Sequence, residues 1–477
     1  MSSEDLIEKT IGRFGKFQTW ILVLIAIGRY PTEFQLNNVV FIIPGVEYKC
    51  LDTGALNATN YCPCENPEYD QSTIVTSVTS EWNLICDRTA FASLAQSMMQ
   101  IGILVGSLLF GYISDSFGRK PSVLMSLFFE PVFIITSAIV PQFWMFLVCR
   151  FLIGTAVGGT MLCCYVLLIE LSGKSFRAYL TGLQEISFIS GYIIVGAIAY
   201  YVRDWRNLQL VTSVPWLAVI VYYWLIPESP RWLITMGRKK EAIVILTYIA
   251  KKNNRSVENI DIIVYDEEEP KKQKSGNYLD LFKTLKIRNY TMIAALVWMF
   301  CSHTFFGVNQ YIGRLQGNIY LNVMLSAASL APGLILVITG TRFLNRKTSI
   351  IISFIVGAMS LLVFIFIPSN METLMLVFAI IGQTGAYTSF IQTYLFTSEL
   401  FPTVIRNSAM GFSSMFARVG GFIAPFVVNI GTEWISILIF SAIAFSTAIL
   451  CCFLPETKNI NLTNSIEETE VKEYNKT

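Results

Sequence analysis

The sequence predicts an all-α polytopic membrane protein with twelve transmembrane helices in two six-helix repeats. Three observations carry this. The chain is 53% hydrophobic and only 14% charged over 477 residues, with a mean hydropathy of +0.54, far above soluble proteins of this size. Its apolar runs are continuous rather than alternating, which fits helices and not a barrel. Finally, a motif from the first half returns in the second with every spacing preserved.

A helix needs about 20 apolar residues to cross a hydrocarbon layer roughly 30 Å thick. Twelve such runs begin near Phe17, Thr89, Ser122, Phe143, Ala178, Leu208, Tyr290, Ile319, Thr348, Thr373, Asn407 and Trp434. The polar start, residues 1–16, flows into the first run without a cleavage pattern, so the first helix is expected to act as the signal itself. Basic residues cluster at Arg119–Lys120, Lys174–Arg177, Arg238–Lys240, Arg342–Lys347 and Arg406. The positive-inside rule puts these loops, and both termini, in the cytoplasm.

Between the first two runs, the loop 45–88 carries Cys50, Cys62, Cys64 and Cys86 and the glycosylation sequon Asn57-Ala58-Thr59. Both features suit an extracellular position and two disulfides, with the three possible pairings left open. The other six cysteines lie in apolar runs and read as small buried hydrophobes.

The segment Tyr165-x4-Glu170-Leu171-x5-Arg177-x4-Gly182 recurs as Tyr394-x4-Glu399-Leu400-x5-Arg406-x4-Gly411 at an offset of 229. Pro227-Glu228-Ser229 is echoed by Pro455-Glu456-Thr457, and Asp115-x2-Gly118-Arg119-Lys120, imperfectly, by Arg342-x2-Asn345-Arg346-Lys347. Two halves, 17–236 and 289–455, therefore descend from one unit. The segment 237–288 reads as a polar cytoplasmic linker, helical around Arg238–Lys251, and 456–477 as a cytoplasmic tail. Parallel repeats are one way to expose a midplane site alternately to either side.

Gly111-x3-Asp115-x2-Gly118-Arg119-Lys120 lies between the second and third runs. Its glycines permit a tight turn, and Asp115 can bond a neighbouring helix end or Arg in one packing state only, as a gate latch does. With Arg150-x3-Gly154-x3-Gly158 and the two Glu-x6-Arg spacings (Glu170, Arg177; Glu399, Arg406), this pattern resembles the major facilitator superfamily. The plainer reading, positive-inside decoration, explains Lys120 and Lys347 but not acids at repeated spacing.

Further stretches resemble the organic ion transporter family of that superfamily over nearly the whole chain. They are Ser72-Thr73-Ile74-Val75-Thr76 and Glu81-Trp82-Asn83-Leu84-Ile85-Cys86-Asp87, then Pro227-Glu228-Ser229-Pro230-Arg231-Trp232-Leu233, and Ser398-Glu399-Leu400-Phe401-Pro402-Thr403-Val404-Ile405-Arg406-Asn407. The resemblance implies alternating-access transport of organic cations, anions or carnitine-type zwitterions across the plasma membrane, and speaks against sugar transport.

Arg418 is the lone charge between Asn407 and Thr432. A cation there costs roughly 2.5–3.5 kcal/mol against lipid, so it is expected to face water or substrate. The resemblance implies that cation transporters carry an acid at this position, and anion and carnitine-type transporters an Arg. It also sets Leu334 where several anion transporters carry a Lys, which disfavours a dicarboxylate pocket. Trp298, Phe305 and Phe306 match pocket aromatics that can stack on flat or cationic substrates, although most helical aromatics merely pack. Asn38 matches a pocket polar residue, with a helix–helix clasp as the plainer alternative.

Arg29 and Glu33 stand one turn apart around Pro31 and are expected to neutralise each other. The alternative turns Glu33 or Arg29 to the substrate. Glu185 has three readings: partner of a substrate cation, carrier of a coupling proton, or counter-ion of Arg29. Glu130 and the only histidine, His303, read as structural. No catalytic triad, phosphate loop or metal-ligand spacing is present, so neither enzyme, cofactor nor metal is expected. A net charge of +2 gives no reason for a nucleic-acid partner. The remaining alternatives are an organic cation carrier and a non-transporting membrane sensor.

Overall fold

The computed structural model describes residues 6–52, 58–173, 176–258, 260–266, 278–368, 370–402, 404–430 and 432–458. Among them, 11 helices are long and apolar enough to cross a membrane. A short helix α1 (Leu6–Ile11) precedes the first span, which is broken into α2 (Lys16–Gly28), α3 (Tyr30–Asn37) and α4 (Val39–Ile42). After it come the strands β1 (Tyr48–Cys50), β2 (Ala58–Thr59) and β3 (Pro67–Tyr69) and the short α5 (Val78–Glu81). The spans continue as α6 (Thr89–Phe117), α7 (Arg119–Ile139), α8 (Phe143–Glu170) and α9 (Arg177–Tyr201). The sixth is composite: α10 (Trp205–Val211), a 3₁₀ stretch Val214–Val221 and α11 (Tyr222–Leu225). Helix α12 (Pro230–Thr235) closes the first half, and the linker holds α13 (Lys239–Lys252) and α14 (Ile260–Asp266). The second half runs α15 (Leu285–Ile312), α16 (Ile319–Phe343), α17 (Arg346–Ile365), α18 (Glu372–Leu400), α19 (Arg406–Val428) and α20 (Glu433–Cys452).

The first span departs from the single helix expected from Phe17, and proline chemistry explains why. Pro31 has no N–H for the Ile27 carbonyl one turn back. The Trp216 indole N–H donates to that carbonyl instead, at 2.7 Å. In the sixth span Pro215 has the same effect, and the helix tightens to 3₁₀ there. The third and ninth helices begin at Arg119 and Arg346, three and two residues before the positions read from hydropathy, because their first turns are capped by distant carboxylates described below.

Two compact units form. The first comprises Met1–Asn38, Ile101–Val195 and Asp204–Lys272. Its core continues from Ile21, Leu24 and Leu167 in the spans to Leu246, Ile249, Ile260 and Val264 of the linker helices, all buried. Asn253 ties linker to bundle: its amide accepts from Phe17 N at 3.0 Å and donates to Gln18 Oε1 at 2.8 Å. Helices α6 and α8 approach closely, since a Cβ on Gly106 would strike the Thr155 carbonyl.

The second unit comprises Val39–Gln100, Gly196–Arg203 and Gln273–Thr477. It therefore includes the cysteine-bearing loop, where β1 pairs antiparallel with β2 and β3. Of the three pairings the structure takes Cys50–Cys64 and Cys62–Cys86. The sequon residue Asn57 lies outside the described residues.

Candidate functional site

The helix ends that carry the repeated motifs are built alike in the two halves. In the first, the Glu228 carboxylate accepts from the backbone N–H groups of Arg119 and Lys120 at 2.9 and 3.1 Å, capping α7. Negative charge at a helix N-terminus is favoured by the orphan N–H groups there. Gly118 precedes that cap at φ +116, a conformation open to glycine, and an added Cβ would collide with Glu228. The Arg119 guanidinium then reaches both Glu170 oxygens (Nε at 3.1 Å, Nη2 at 2.9 Å) and Asp115 at 2.5 Å. In the second half, Glu456 caps α17 through Arg346 N (2.8 Å) and Lys347 N (3.1 Å). Arg346 Nε donates to Glu399 at 3.3 Å, and Thr457 Oγ1 to the same carboxylate at 2.8 Å.

Of the expected gating residues, Asp115, Gly118, Arg119 and Glu170 thus converge, and Asp115 on α6 bonds Arg119 at the start of the neighbouring α7. Glu170 is taken by Arg119, not by the Arg177 of its own spacing. Arg177 and Arg406 each open a helix, α9 and α19, and Arg406 Nη2 donates to the Phe401 carbonyl at 3.5 Å. Sequence reasoning had quoted Glu228 and Glu456 as a repeated signature without giving them a task. Arg231 was missed as well: its Nε caps the end of α8 at the Glu170 carbonyl, 3.2 Å away.

Within the first unit a buried polar chain crosses the spans. Arg29 and Glu33 form the expected ion pair at 2.9 Å, both buried. Thr32 and Thr160 both donate to Glu130 Oε2, at 2.8 and 3.0 Å, in line with a structural role. Gln209 Oε1 accepts from Gln35 at 2.6 Å and from Asn38 at 3.0 Å. Asn38 is thereby clasped into a helix–helix contact. Glu185 is half-buried on α9.

Within the second unit lies the aromatic set. The Trp298 ring meets Tyr394 at 4.2 Å, Tyr394 meets Phe390 at 5.4 Å, and Phe390 stacks on Phe305 at 5.5 Å. Phe306 adds an edge contact to Phe305 at 5.2 Å. Trp298 and Phe305 are almost fully buried, and the Trp298 indole N–H is used on Thr397 Oγ1 at 2.8 Å. The more open members are Phe306 and Tyr394, the latter 36% exposed. Tyr394 was overlooked as a site residue although it begins the repeated motif. Arg418 itself is half-buried on α19 and makes no hydrogen bond or ion pair among the described residues. His303 packs between Gly420 and Phe440, its Nδ1 3.2 Å from the Gly420 carbonyl.

A duplicated bundle of membrane-crossing helices with braced helix ends is the architecture of a major facilitator transporter. An inward-open structure of the xylose transporter XylE from E. coli has the same fold, with TM-score 0.69 at 17% identity over 95% of this chain and 99% of that one. The sugar (and other) transporter family model matches residues 48–468. An organic cation transporter protein of Drosophila melanogaster is 34% identical over 85% of this chain and 76% of its own length. The human organic cation/carnitine transporter 2 is 33% identical over 84% and 73%. The chain belongs to the organic ion transporter family of the major facilitator superfamily.

Proposed function

We propose that this protein carries small organic anions or zwitterions, carnitine-like or monocarboxylate in type, across the plasma membrane by alternating access. The observation that carries the reading is Arg418, a membrane-depth cation without an acidic partner among the described residues. At an effective dielectric near 20, an opposite charge about 4 Å away gains roughly 4 kcal/mol. A substrate carboxylate meets Arg418 beside the open face of Tyr394, while Trp298 and Phe305 back the wall and Phe306 borders it. Glu185 offers its charge to the cationic end of a zwitterion. Glu33 and Asn38 are held within the first unit by their bonds to Arg29 and Gln209.

The names of the relatives include organic cations and carnitine, which supports organic ions as the substrate class and keeps a cation carrier as the second reading. That reading needs Glu33 free and Arg418 neutralised, whereas Glu33 is held by Arg29. The transport domain is read as the halves 17–236 and 289–455, with both termini in the cytoplasm and Asn57 outside and glycosylated. Asp115, Gly118, Arg119, Glu170, Arg177, Glu399 and Arg406 are read as the cytoplasmic gate, remade in each cycle.

Uptake of labelled carnitine-like, monocarboxylate and quaternary ammonium compounds into proteoliposomes tests this. Flux of the first two, abolished or shifted toward the cation in Arg418→Asp, is expected. Flux of the quaternary ammonium compound lost in Glu185→Gln but intact in Arg418→Asp would establish the cation carrier, and no flux at all a sensor.

A further inference from the structure

Several basic side chains of this chain are already occupied by carbonyls or carboxylates. Lys347 Nζ donates to the Cys452 carbonyl at 2.6 Å, and Lys458 Nζ to the Arg342 and Leu344 carbonyls at 2.9 and 2.7 Å. Arg238 pairs with Glu241 at 2.6 Å and Lys283 with Asp280 at 2.6 Å. Against these stand Lys16, Lys251 and Lys252, exposed and without an acidic partner among the described residues.

Their positions are connected. Lys16 is the first residue of α2, and Trp20 follows one turn later on the same face, 49% exposed. Val23 and Ile27 continue that exposed stripe up the span, so it is the lipid side of the helix. Trp20 stands at its cytoplasmic end, the depth at which tryptophan sits in a bilayer. On α13, Tyr248 packs edge-on against Phe17, ring centroids 5.7 Å apart, which sets that linker helix at the same depth. Tyr248 is nonetheless 50% exposed, with Lys252 Nζ 5.7 Å from its ring centre and Lys251 beside it. Two aromatics at the membrane boundary, surmounted by three lysines without an acidic partner among the described residues, match an anionic interface and not bulk water.

We propose that Lys16, Lys251 and Lys252, with Trp20 and Tyr248, form a docking face for anionic phospholipid headgroups of the cytoplasmic leaflet. The face fastens α13 to the bilayer and, through Phe17 and Asn253, steadies the start of the first span. The assignment rests on the cytoplasmic placement of the linker proposed above, but not on any substrate.

The test is native mass spectrometry of the detergent-solubilised full chain titrated with phosphatidylserine or phosphatidylcholine of the same acyl chains. Phosphatidylserine adducts are expected to exceed phosphatidylcholine adducts. The triple variant K16Q/K251Q/K252Q should lose at least about tenfold of the phosphatidylserine binding, each lysine near the surface being worth roughly fivefold. Phosphatidylcholine binding should be unchanged, and the triple Lys→Arg variant should keep its preference. An unchanged phosphatidylserine population in the Gln variant, or an equal loss of both lipids, overturns the proposal. So does phosphatidylserine binding that emerges only when Glu267, Glu268 and Glu269 are replaced by Gln, which assigns the lysines to that acidic run. Transport is not read, so a wrong substrate assignment leaves the result intact.

Discussion

At the scale of single residues, charge compensation separates structure from function in this membrane interior. Arg29 and Glu33 are paired with each other and Glu130 accepts from two threonines, so their substitution is chiefly a matter of stability. Arg418 has no acidic partner among the described residues, and under the proposed function its loss is a matter of substrate. Neutralising it in Arg418→Gln should lower kcat/KM for a carboxylate substrate by up to about a thousandfold, the equivalent of roughly 4 kcal/mol. The fold should persist, as judged by the melting profile in detergent. This cation was legible in the sequence because hydropathy isolates a lone charge. Tyr394 was not, because an aromatic on a span carries no mark of which face it occupies. Outside the membrane, Asp52 accepts from Glu65 N at 2.8 Å and from Asn66 Nδ2 at 3.0 Å, which holds its carboxyl below the usual carboxylate range. The unfolded loop therefore binds the proton more readily than the folded one. Asp52 stabilises the loop fully above its ordinary value near 4, and the contribution is lost as pH falls through the lower folded value. Hydrogen exchange of the loop should accelerate below about pH 4 in the native chain, and Asp52→Asn should flatten that dependence.

At the scale of elements, the helices are joined by polar side chains that act on backbone groups far away in sequence. Glu228 and Glu456 each supply the N-terminal cap of a helix more than a hundred residues earlier. Replacing Glu228 by Ala leaves the Arg119 and Lys120 amides without their charged acceptor, at about 1.5–3 kcal/mol. Glu456→Ala should cost a similar amount, and thermal unfolding in detergent would show both as lowered midpoints. Matching effects in the two halves are expected, since the caps are repeats of one device. Trp216→Phe keeps the ring but strands the Ile27 carbonyl beside Pro31, at about 1–3 kcal/mol. Its effect should vanish in a Pro31→Ala background, where the helix can satisfy that carbonyl itself, and a double-mutant cycle would measure the coupling. The repeat drew attention to the Pro-Glu-Ser and Pro-Glu-Thr signatures, and Pro31 marked the weak point of the first span. The partners stayed hidden, because spacing along the chain says nothing about contacts made across 109 or 189 residues. Disulfide pairing was hidden for the same reason, with four cysteines in one loop.

At the scale of the whole molecule, the two sequence halves do not coincide with the two compact units. Residues 39–100 and 196–203, from the first half, belong to the second unit. Particular bonds within that unit account for it. Asn429 Nδ2 donates to Ser93 Oγ at 2.6 Å, Ser97 Oγ to the Phe422 carbonyl at 2.6 Å, and Tyr320 OH to the Thr73 carbonyl at 2.8 Å. With the orientation proposed above, all three lie at the extracellular ends of the helices and seal that side. A carrier that alternates must break them once per cycle, whereas a static membrane protein need never do so. Hydroxyl and amide bonds of this kind are worth about 1 kcal/mol each, weak enough to part on a transport timescale. A Ser93→Cys/Asn429→Cys pair, bridged by a short bifunctional thiol reagent, turns that reversible seal into a covalent one. Uptake should fall to background after bridging, while either single-cysteine variant treated with the same reagent should keep transporting. Substrate binding from the cytoplasmic side should survive in the bridged protein, because Arg418 and Tyr394 are untouched. Full uptake through the bridged pair would mean that these helix ends do not separate during transport, and alternation about this seal would have to be abandoned.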